Sequence, residues 1–313
     1  MLPLLLCALV GSGYLWAETK TSNRPVFRLH LGQLPESEDP ARVRSSSGNF
    51  LLQARHRGLL KYTSGKGLEP DIAKCHRPKP LELHCNIQDD QFWSDGSRIT
   101  AKDVQNSLLR LLDMKVSAPR AHLLFPVRGA REYYSGAKSN PAIWARRESR
   151  IVFELLAGED REFEYHLTHP ALAVYSPDKK RFSGYYRDHK LSANKVQLIA
   201  NPYLPGHESR PDIEFIVIPE DTVALKLFEK GDLDFLRRLP TLFLPQYRGR
   251  SELVEFPQVR MDYYGFGPAL KENPWLRQLL SENIDFSSLQ KLLGSGGLPG
   301  CFGLTEDLSL IHI

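Results

Sequence analysis

Alternation of apolar and polar residues predicts strands in this chain. Successive side chains of a strand point to opposite faces, so alternation marks a strand with one buried face. The pattern is clear at residues 26–31 and 81–87, and three later apolar segments are also typical of strands. The predicted strands are residues 26–31, 81–87, 151–155, 196–200 and 213–218.

Helices are predicted where apolar residues recur every three or four positions. Thr100 is a good N-cap, and Asp103 suits the first turn of the helix that follows. The apolar stripe of this helix consists of Val104, Leu108, Leu111 and Leu112. Because strands and helices mix without a strict βαβ repeat, the fold class is α/β or α+β. The other predicted helices are residues 51–60, 222–230 and 274–283.

Residues 1–17 are predicted to be a secretory signal peptide. They carry no charged side chain, end on the small residue Ala17 and are followed at once by polar residues. The Lys or Arg that usually begins such a peptide is missing, which leaves an uncleaved anchor as the alternative. Lipidation at Cys7 is disfavoured because Leu6 is too large for the usual lipidation site. We therefore expect export to the periplasm without a lipid anchor.

Export leaves Cys75, Cys85 and Cys301 in the mature chain. A turn at residues 78–80 puts Cys75 and Cys85 on the same face of two adjacent strands, nearly opposite each other. A disulfide between them is geometrically allowed and suits an oxidising compartment. Two free thiols in a half-buried hairpin are the alternative. Because three is an odd number, at least one thiol stays unpaired.

Composition and charge exclude several classes of protein. The chain is 42% hydrophobic and 25% charged, as in a soluble globular protein, and it is neither collagen-like, low-complexity nor a polytopic membrane protein. With 41 Lys and Arg against 37 Asp and Glu, the net charge of +4 is too small to indicate nucleic-acid binding. Residues 115–150 hold eight basic and two acidic residues, which we interpret as a solvated face rather than a ligand-steering surface.

The sequence contains no strong catalytic or metal-binding pattern. The HExxH, GxSxG, P-loop and GxGxxG patterns do not occur. His166 and His169 are three apart, but no Cys or third His lies close in sequence, so they are interpreted as a surface or interface pair. The acidic residues of segment 159–164 are interpreted as a solvated face. We therefore predict no catalytic residue, no metal site and no cofactor.

A set of ordered motifs carries a family resemblance. The turn Trp93-Ser94-Asp95-Gly96 is followed by Thr100-Ala101-Lys102-Asp103-Val104. The chain thereby resembles bacterial solute-binding protein family 5, the oligopeptide- and dipeptide-binding proteins of ABC importers. It departs from the family where a Gly-Pro-Tyr segment is expected, since residues 183–186 lack the proline. The other matching segments are residues 38–40, 58–62, 68–73, 201–203, 211–213, 230–234, 263–266, 273–280, 284–285 and 296–300.

The resemblance implies an α/β, periplasmic-binding-protein-like fold of class II type, in which two lobes close over a ligand. Lobe I would comprise residues 18–56 and 173–262, with the extra lobe of the peptide-binding family inserted at residues 57–172. The closing lobe would begin at residue 263, and only its start, residues 263–313, is present. The tail from about residue 305 fits no continuation of the family, so we expect a C-terminally truncated sequence.

The resemblance also implies a set of ligand-binding residues. In peptide-binding members the ligand lies extended and pairs its backbone with a short protein segment, which corresponds here to Arg44, Ser45 and Ser46. A second ligand-facing position falls at Arg120. Two arginines would favour acidic groups or a C-terminal carboxylate, because guanidinium binds carboxylate bidentately. The alternative is that Arg44 and Arg120 are ordinary surface arginines.

The leading hypothesis is an exported protein, monomeric and not an enzyme, that captures peptides and delivers them to an ABC import permease. Nucleic acid is not expected as a partner. The same scaffold binding another solute, such as a nickel chelate, a sugar or an opine, is the alternative. A secreted hydrolase is a further alternative from a different class.

Overall fold

The computed structural model describes residues 25–137, 139–158, 162–255, 266–285, 287–288 and 291. The predicted signal peptide, Cys7, Cys301 and the tail from about residue 305 lie outside these described residues. The described part of the chain forms two compact units. The first contains residues 25–28 and 34–216, and the second contains residues 29–33 and the described residues from 217 onward.

Ten strands and seven α-helices form within the described residues. The strands are β1 Val26–Leu31, β2 Leu60–Thr63, β3 Gly67–Pro70, β4 Ala73–Lys79, β5 Glu82–Ile87, β6 Ile143–Arg147, β7 Arg150–Glu154, β8 Tyr186–Leu191, β9 Lys195–Ala200 and β10 Asp212–Val217. The helices are α1 Ser46–Arg55, α2 Ala101–Leu111, α3 Ala130–Tyr134, α4 Phe163–His166, α5 Asp221–Glu229, α6 Leu244–Tyr247 and α7 Pro274–Glu282. None of the helices in the described ranges is long and apolar enough to cross a membrane.

The predicted elements agree closely with these bounds. Each of the five predicted strands is confirmed to within one residue at either end. Helix α2 begins with a capping box, since the Thr100 hydroxyl accepts the Asp103 N–H and the Asp103 carboxylate accepts the Thr100 N–H. Gly231, just beyond α5, has a φ of 79°, the left-handed conformation that ends helices.

The predicted helix at residues 51–60 was wrong in its bounds. Helix α1 begins five residues earlier, at Ser46, because the Ser45 hydroxyl accepts the Gly48 N–H and caps it. It ends at Arg55, because His56 is extended, and Leu60 already begins β2. Apolar spacing alone did not separate the last turn of this helix from the start of the strand.

A four-stranded antiparallel sheet, ordered β4-β5-β7-β6, packs on α2. Its inner face presents Leu83 and Cys85 from β5 and Ile151 and Phe153 from β7. These side chains share one buried cluster with the apolar stripe of α2. The alternation along the strands and the three- to four-residue spacing along α2 place these apolar side chains on one side of each element, where they are buried together.

A second sheet, ordered β1-β10-β9-β8, is formed from β1 near the start of the described chain and from three strands between residues 186 and 217. All of its strands come from the segments predicted as lobe I, whereas the β4-β5-β7-β6 sheet and the β2-β3 hairpin come from the predicted inserted lobe. The division into compact units does not follow that boundary, because residues of both sheets belong to the first unit. The lobe boundaries at 57 and 172 stay a prediction.

Two of the family-like segments, residues 93–96 and 201–203, meet the departing segment at residues 182–184 in the first unit. The turn at Trp93–Gly96 is bonded to Phe182, whose carbonyl accepts the Ser94 N–H at 3.0 Å and whose N–H donates to the Ser94 hydroxyl at 3.0 Å. Gly96 has a φ of 87°, and a Cβ there would lie 2.8 Å from the ring of Tyr203. Asn201, fully buried, donates to the Gly184 carbonyl at 3.2 Å. These residues therefore act as packing and hydrogen-bonding contacts inside the unit.

Cys75 and Cys85 lie directly opposite each other on β4 and β5. The structure joins them by a disulfide with an S–S distance of 2.00 Å. The hairpin turn falls at Pro80 and Leu81, beyond the end of β4 at Lys79.

Candidate ligand-binding site

The segment before α1 is held in place by Glu36. Its carboxylate accepts the Ser45 N–H at 3.1 Å and the Ser45 hydroxyl at 3.0 Å. Hydrogen bonds from the backbone N–H of Glu36 and from Ser45 hold the pKa of this carboxyl below its usual range. Since the Ser45 carbonyl accepts the Asn49 N–H, both backbone groups of Ser45 are already bonded within the chain. Ser45 thus has a structural role in this arrangement, and Arg44 beside it is exposed.

Asp39 connects the segment before α1 to α2 through hydrogen bonds. Its carboxylate accepts the Ala41 N–H at 2.9 Å, which caps the short 3-10 turn Pro40–Arg42. Both carboxylate oxygens also accept N–H groups of Arg110, one of them at 2.7 Å. The Arg110 guanidinium lies 4.5 Å above the Tyr175 ring centre, so it is held on two sides.

Arg42 connects this segment to the one that carries Arg120. Its Nη2 donates to the Lys115 carbonyl at 3.3 Å. The structure thereby brings the residues around Arg44 and those before Arg120 next to each other. Arg120 itself is exposed and precedes the 3-10 turn Ala121–Leu124.

Arg120 also affects a neighbouring histidine. Burial, with the charge of Arg120 as the next largest cause, lowers the pKa of His169 to about 4. His169 is therefore neutral at pH 7, and its Nδ1 accepts the Ala171 N–H at 3.0 Å. Among the described residues, neither Arg44 nor Arg120 has a carboxylate within ion-pair distance.

A small cavity of about 20 Å³ lies between Glu38 and the end of α1 and holds about one water molecule at most. It is lined by His56, Tyr175, Arg55 and Asp188 among others, with Arg55 Nε 2.6 Å from Asp188 Oδ1. Burial, followed by the charges of Arg55 and Arg110, lowers the pKa of His56 to about 3. The cavity is too small for a solute.

Metal binding is not supported at the histidines that the sequence singled out. His166 is hydrogen-bonded through Nδ1 to the Leu123 carbonyl at 2.9 Å, and His169 is bonded as described above. No group of three or more His, Cys, Asp or Glu side chains suited to a metal ion occurs in the part of the chain that the structure describes.

Sequence reasoning missed Glu36 and Arg110 as the residues that hold the site. Glu36 lies in an acidic, proline-containing loop where any of three carboxylates could have been the cap. Arg110 lies among apolar positions of α2, and its partner Asp39 is 71 residues away. No local pattern relates residues so far apart.

Replacing Ser45 with Ala is expected to lower the free energy of unfolding by about 1 kcal/mol, because the N-cap of α1 is lost. Urea unfolding followed by circular dichroism measures the change. Ser47→Ala, two residues into the helix, is the matched control and should stay within about 0.5 kcal/mol. Equal stability of Ser45→Ala and the unchanged chain would contradict the capping role.

The class of the protein follows from comparison with known families. Residues 67–300, well over half of the chain, match the sequence model of the bacterial extracellular solute-binding proteins, family 5, middle region. The chain belongs to this family, as the ordered motifs predicted. The family comprises solute-binding proteins rather than enzymes.

Two curated relatives are peptide-binding proteins by name. The chain is 27% identical over 216 residues to the dipeptide-binding protein of Lactococcus lactis, covering 61% of this chain and 39% of the relative. It is 22% identical over 326 residues to the oligopeptide-binding protein OppA of Bacillus subtilis, covering 94% of this chain and 59% of the relative. The chain thus spans between two fifths and three fifths of the length of these relatives.

A solved structure supports the fold. The unliganded open form of the periplasmic murein tripeptide binding protein MppA matches with a TM-score of 0.73 at 20% sequence identity. The match covers 90% of this chain and 59% of the MppA chain. The predicted periplasmic-binding-protein-like α/β fold is confirmed.

Proposed function

We propose that this protein captures peptides outside the cytoplasm and delivers them to an ABC import permease. Membership of solute-binding protein family 5 is the observation that carries this proposal. The two curated relatives, named as dipeptide- and oligopeptide-binding proteins, favour peptides over nickel chelates, sugars or opines. Delivery by a binding protein requires that the cargo is released unchanged, which separates this function from that of a hydrolase.

The proposed peptide contacts are Arg44, Ser45, Ser46 and Arg120. The exposed guanidinium groups of Arg44 and Arg120 have no carboxylate partner among the described residues, which suits them to a C-terminal carboxylate or acidic side chain. Because Glu36 accepts the Ser45 N–H, a peptide backbone that pairs with Ser45 has to displace this carboxylate. Ligand binding is therefore coupled to release of the Glu36 contact in this proposal.

Residues 1–17 are proposed to direct export to the periplasm, where the protein acts as a monomer. The family is extracellular by description, and an apolar leader that ends on Ala17 accords with it. The permease partner follows from the importer function.

Replacing both Arg44 and Arg120 with Ala is expected to weaken binding of a short peptide with a free C-terminus at least tenfold. Charge-assisted hydrogen bonds contribute about 1.5–3 kcal/mol each, which corresponds to tenfold or more. Isothermal titration calorimetry of the full chain with a mixed tripeptide and its C-terminally amidated form measures both affinity and preference. The unchanged chain should prefer the free carboxylate, and the double variant should lose this preference.

Lys102→Ala combined with Lys190→Ala removes the same charge from exposed positions elsewhere and should leave binding unchanged. Mass spectrometry of the peptide after binding should recover it intact. Fragments of the peptide would favour a hydrolase, and nickel-dependent melting without peptide binding would favour the chelate alternative. Equal affinity of the double variant and the unchanged chain would reject the assignment of the two arginines.

A further inference from the structure

The outer face of the β4-β5-β7-β6 sheet, opposite the face that packs on α2, carries ordered rows of side chains. In the register of the sheet, His84, Val152 and Trp144 are cross-strand neighbours and form a middle row. One step along the strands, Asn86, Arg150 and Arg147 form the next row. Same-face rows of a sheet are about 7 Å apart, since two residues of a strand rise by that distance.

The middle row and the two arginines of the next row line an open groove of about 530 Å³, much larger than the cavity beside His56 and Tyr175. Val152 is 5% exposed and forms an apolar floor, with Trp144 at the side. Arg146, Arg147 and Arg150 line one end. All three belong to the basic run at residues 115–150, for which the sequence favoured a merely solvated face.

Each carboxylate of the groove already lies within ion-pair distance of a Lys or Arg side chain. Glu82 lies 2.5 Å from His84 Nε2 and 3.5 Å from Lys79 Nζ. Glu154 accepts two N–H groups of Arg128, both at 2.7 Å. These carboxylates therefore do not neutralise the arginines at the other end.

The three arginines are positioned without a carboxylate partner. The Arg146 guanidinium lies 4.9 Å from the Trp144 ring centre, and Arg150 donates through Nε to the neutral Asn86 amide at 2.8 Å. Arg147 lies opposite Arg150 and is exposed. Within the described residues, no Asp or Glu oxygen lies within ion-pair distance of any of the three. Stacking and the Asn86 contact restrict two of the guanidinium groups and leave their terminal N–H groups directed to solvent or ligand.

We propose that this groove, defined by Trp144, Arg146, Arg147, Arg150 and Val152, is a docking site for an acidic polypeptide segment of a partner protein. An acidic side chain at the arginine row and an apolar one two residues further along an extended segment would match the 7 Å spacing to the middle row. A concave groove with an apolar floor suits such a segment better than a flat membrane surface. A single small anion would leave the floor uncovered.

Fluorescence anisotropy with a labelled peptide tests the docking site. The probe is fluorescein-Gly-Glu-Glu-Phe-Glu-Glu amide, whose blocked C-terminus removes one of the two kinds of carboxylate proposed for the Arg44 and Arg120 site. The control probe has Gln at each Glu. We expect the full chain to bind the acidic probe at least tenfold more tightly than the Gln probe, with affinity falling as salt is raised.

Arg146→Ala combined with Arg147→Ala should weaken binding of the acidic probe at least tenfold, and Trp144→Ala about threefold or more, because the cation–π contact is lost. The double variant Lys102→Ala and Lys190→Ala is the charge-matched control and should bind as the unchanged chain does. The double variant Arg44→Ala and Arg120→Ala should also retain binding, which separates this site from the proposed peptide cleft.

Three outcomes would overturn the docking site. Equal affinity of the groove variant and the unchanged chain would exclude these arginines. Equal affinity for the two probes would exclude recognition of carboxylates. Binding to phosphatidylglycerol vesicles or to inorganic phosphate, without binding of the acidic probe, would assign the groove to a membrane or to a small anion instead.

Discussion

Replacing Arg57 with Met is expected to lower the free energy of unfolding by about 3–5 kcal/mol at pH 7. Arg57 is buried, and each part of its guanidinium is bonded. Nη1 donates to Asp71 at 3.1 Å, Nη2 to Gln91 at 2.6 Å, and Nε to the Ser183 carbonyl at 2.9 Å. Methionine fills much of the same volume but leaves these three acceptors unpaired in the interior. The uncompensated Asp71 charge supplies most of the expected loss.

The stability lost in Arg57→Met should depend on pH. Burial raises the pKa of Asp71 above its usual range, although Arg57 opposes the shift. A raised pKa in the folded state means that the fold binds this proton more tightly than the unfolded chain does. The stability from that proton is complete below the unfolded pKa and is lost as pH rises through the folded pKa. Without Arg57 the pKa of Asp71 rises further, because the opposing charge is gone. Arg57→Met should therefore lower the free energy of unfolding less at pH 4.5 than at pH 7.

Urea unfolding of the variant and the unchanged chain at both pH values measures these differences. Arg128→Met is the matched control, because Arg128 forms a two-bond ion pair with Glu154 on the surface. Such an exposed pair contributes about 1 kcal/mol or less, so the control should change little at either pH. A double variant, Arg57→Met with Asp71→Leu, should recover part of the loss. If Arg57→Met and Arg128→Met lower the free energy of unfolding equally, the Arg57–Asp71 pair does not stabilise the fold as proposed.

Replacing Gly184 with Ala is expected to lower the free energy of unfolding by about 3 kcal/mol or more, the upper range for overpacking. A Cβ at residue 184 would lie 2.3 Å from the Arg55 carbonyl carbon and 2.5 Å from the Ala54 oxygen. Because both are backbone atoms at the end of α1, no side-chain rotation relieves the clash. The Gly184 N–H also donates to the Arg55 carbonyl at 2.8 Å, and this hydrogen bond would have to lengthen.

Gly267→Ala is the matched control for this substitution. A Cβ at Gly267 meets no atom within 4 Å, and its φ of −65° is open to any residue. Thermal unfolding should therefore show a large decrease in melting temperature for Gly184→Ala and almost none for Gly267→Ala. Similar melting temperatures for the two variants would contradict the close packing of residue 184 on α1.

The losses of stability expected for Arg57→Met and Gly184→Ala should be coupled. Ser183 accepts the Arg57 N–H on its hydroxyl and the Arg57 Nε–H on its carbonyl, and Gly184 is the next residue. A shift of Gly184 away from α1 would move the Ser183 carbonyl as well. The combined variant should therefore lose less stability than the sum of the two single variants.

The sequence by itself determined much of the local structure and the family. Period-two alternation located two of the five predicted strands because a strand has to bury one face, and apolar segments located the other three. Thr100 with Asp103 defined the start of α2 through a bond between residues three apart. The ordered motifs identified the solute-binding family because each is a local run of residues. These features depend on neighbours in the chain, so they can be recognised without a three-dimensional structure.

Only the tertiary structure decided which residues meet. Arg57 and Ser183 are 126 positions apart, and Asp39 and Arg110 are 71 apart. The arginine row of the groove depends on the register of three strands, and a shift of one residue would turn those side chains to the other face. Such contacts arise from the closure of long loops, and the residue types in a short segment do not encode their partners.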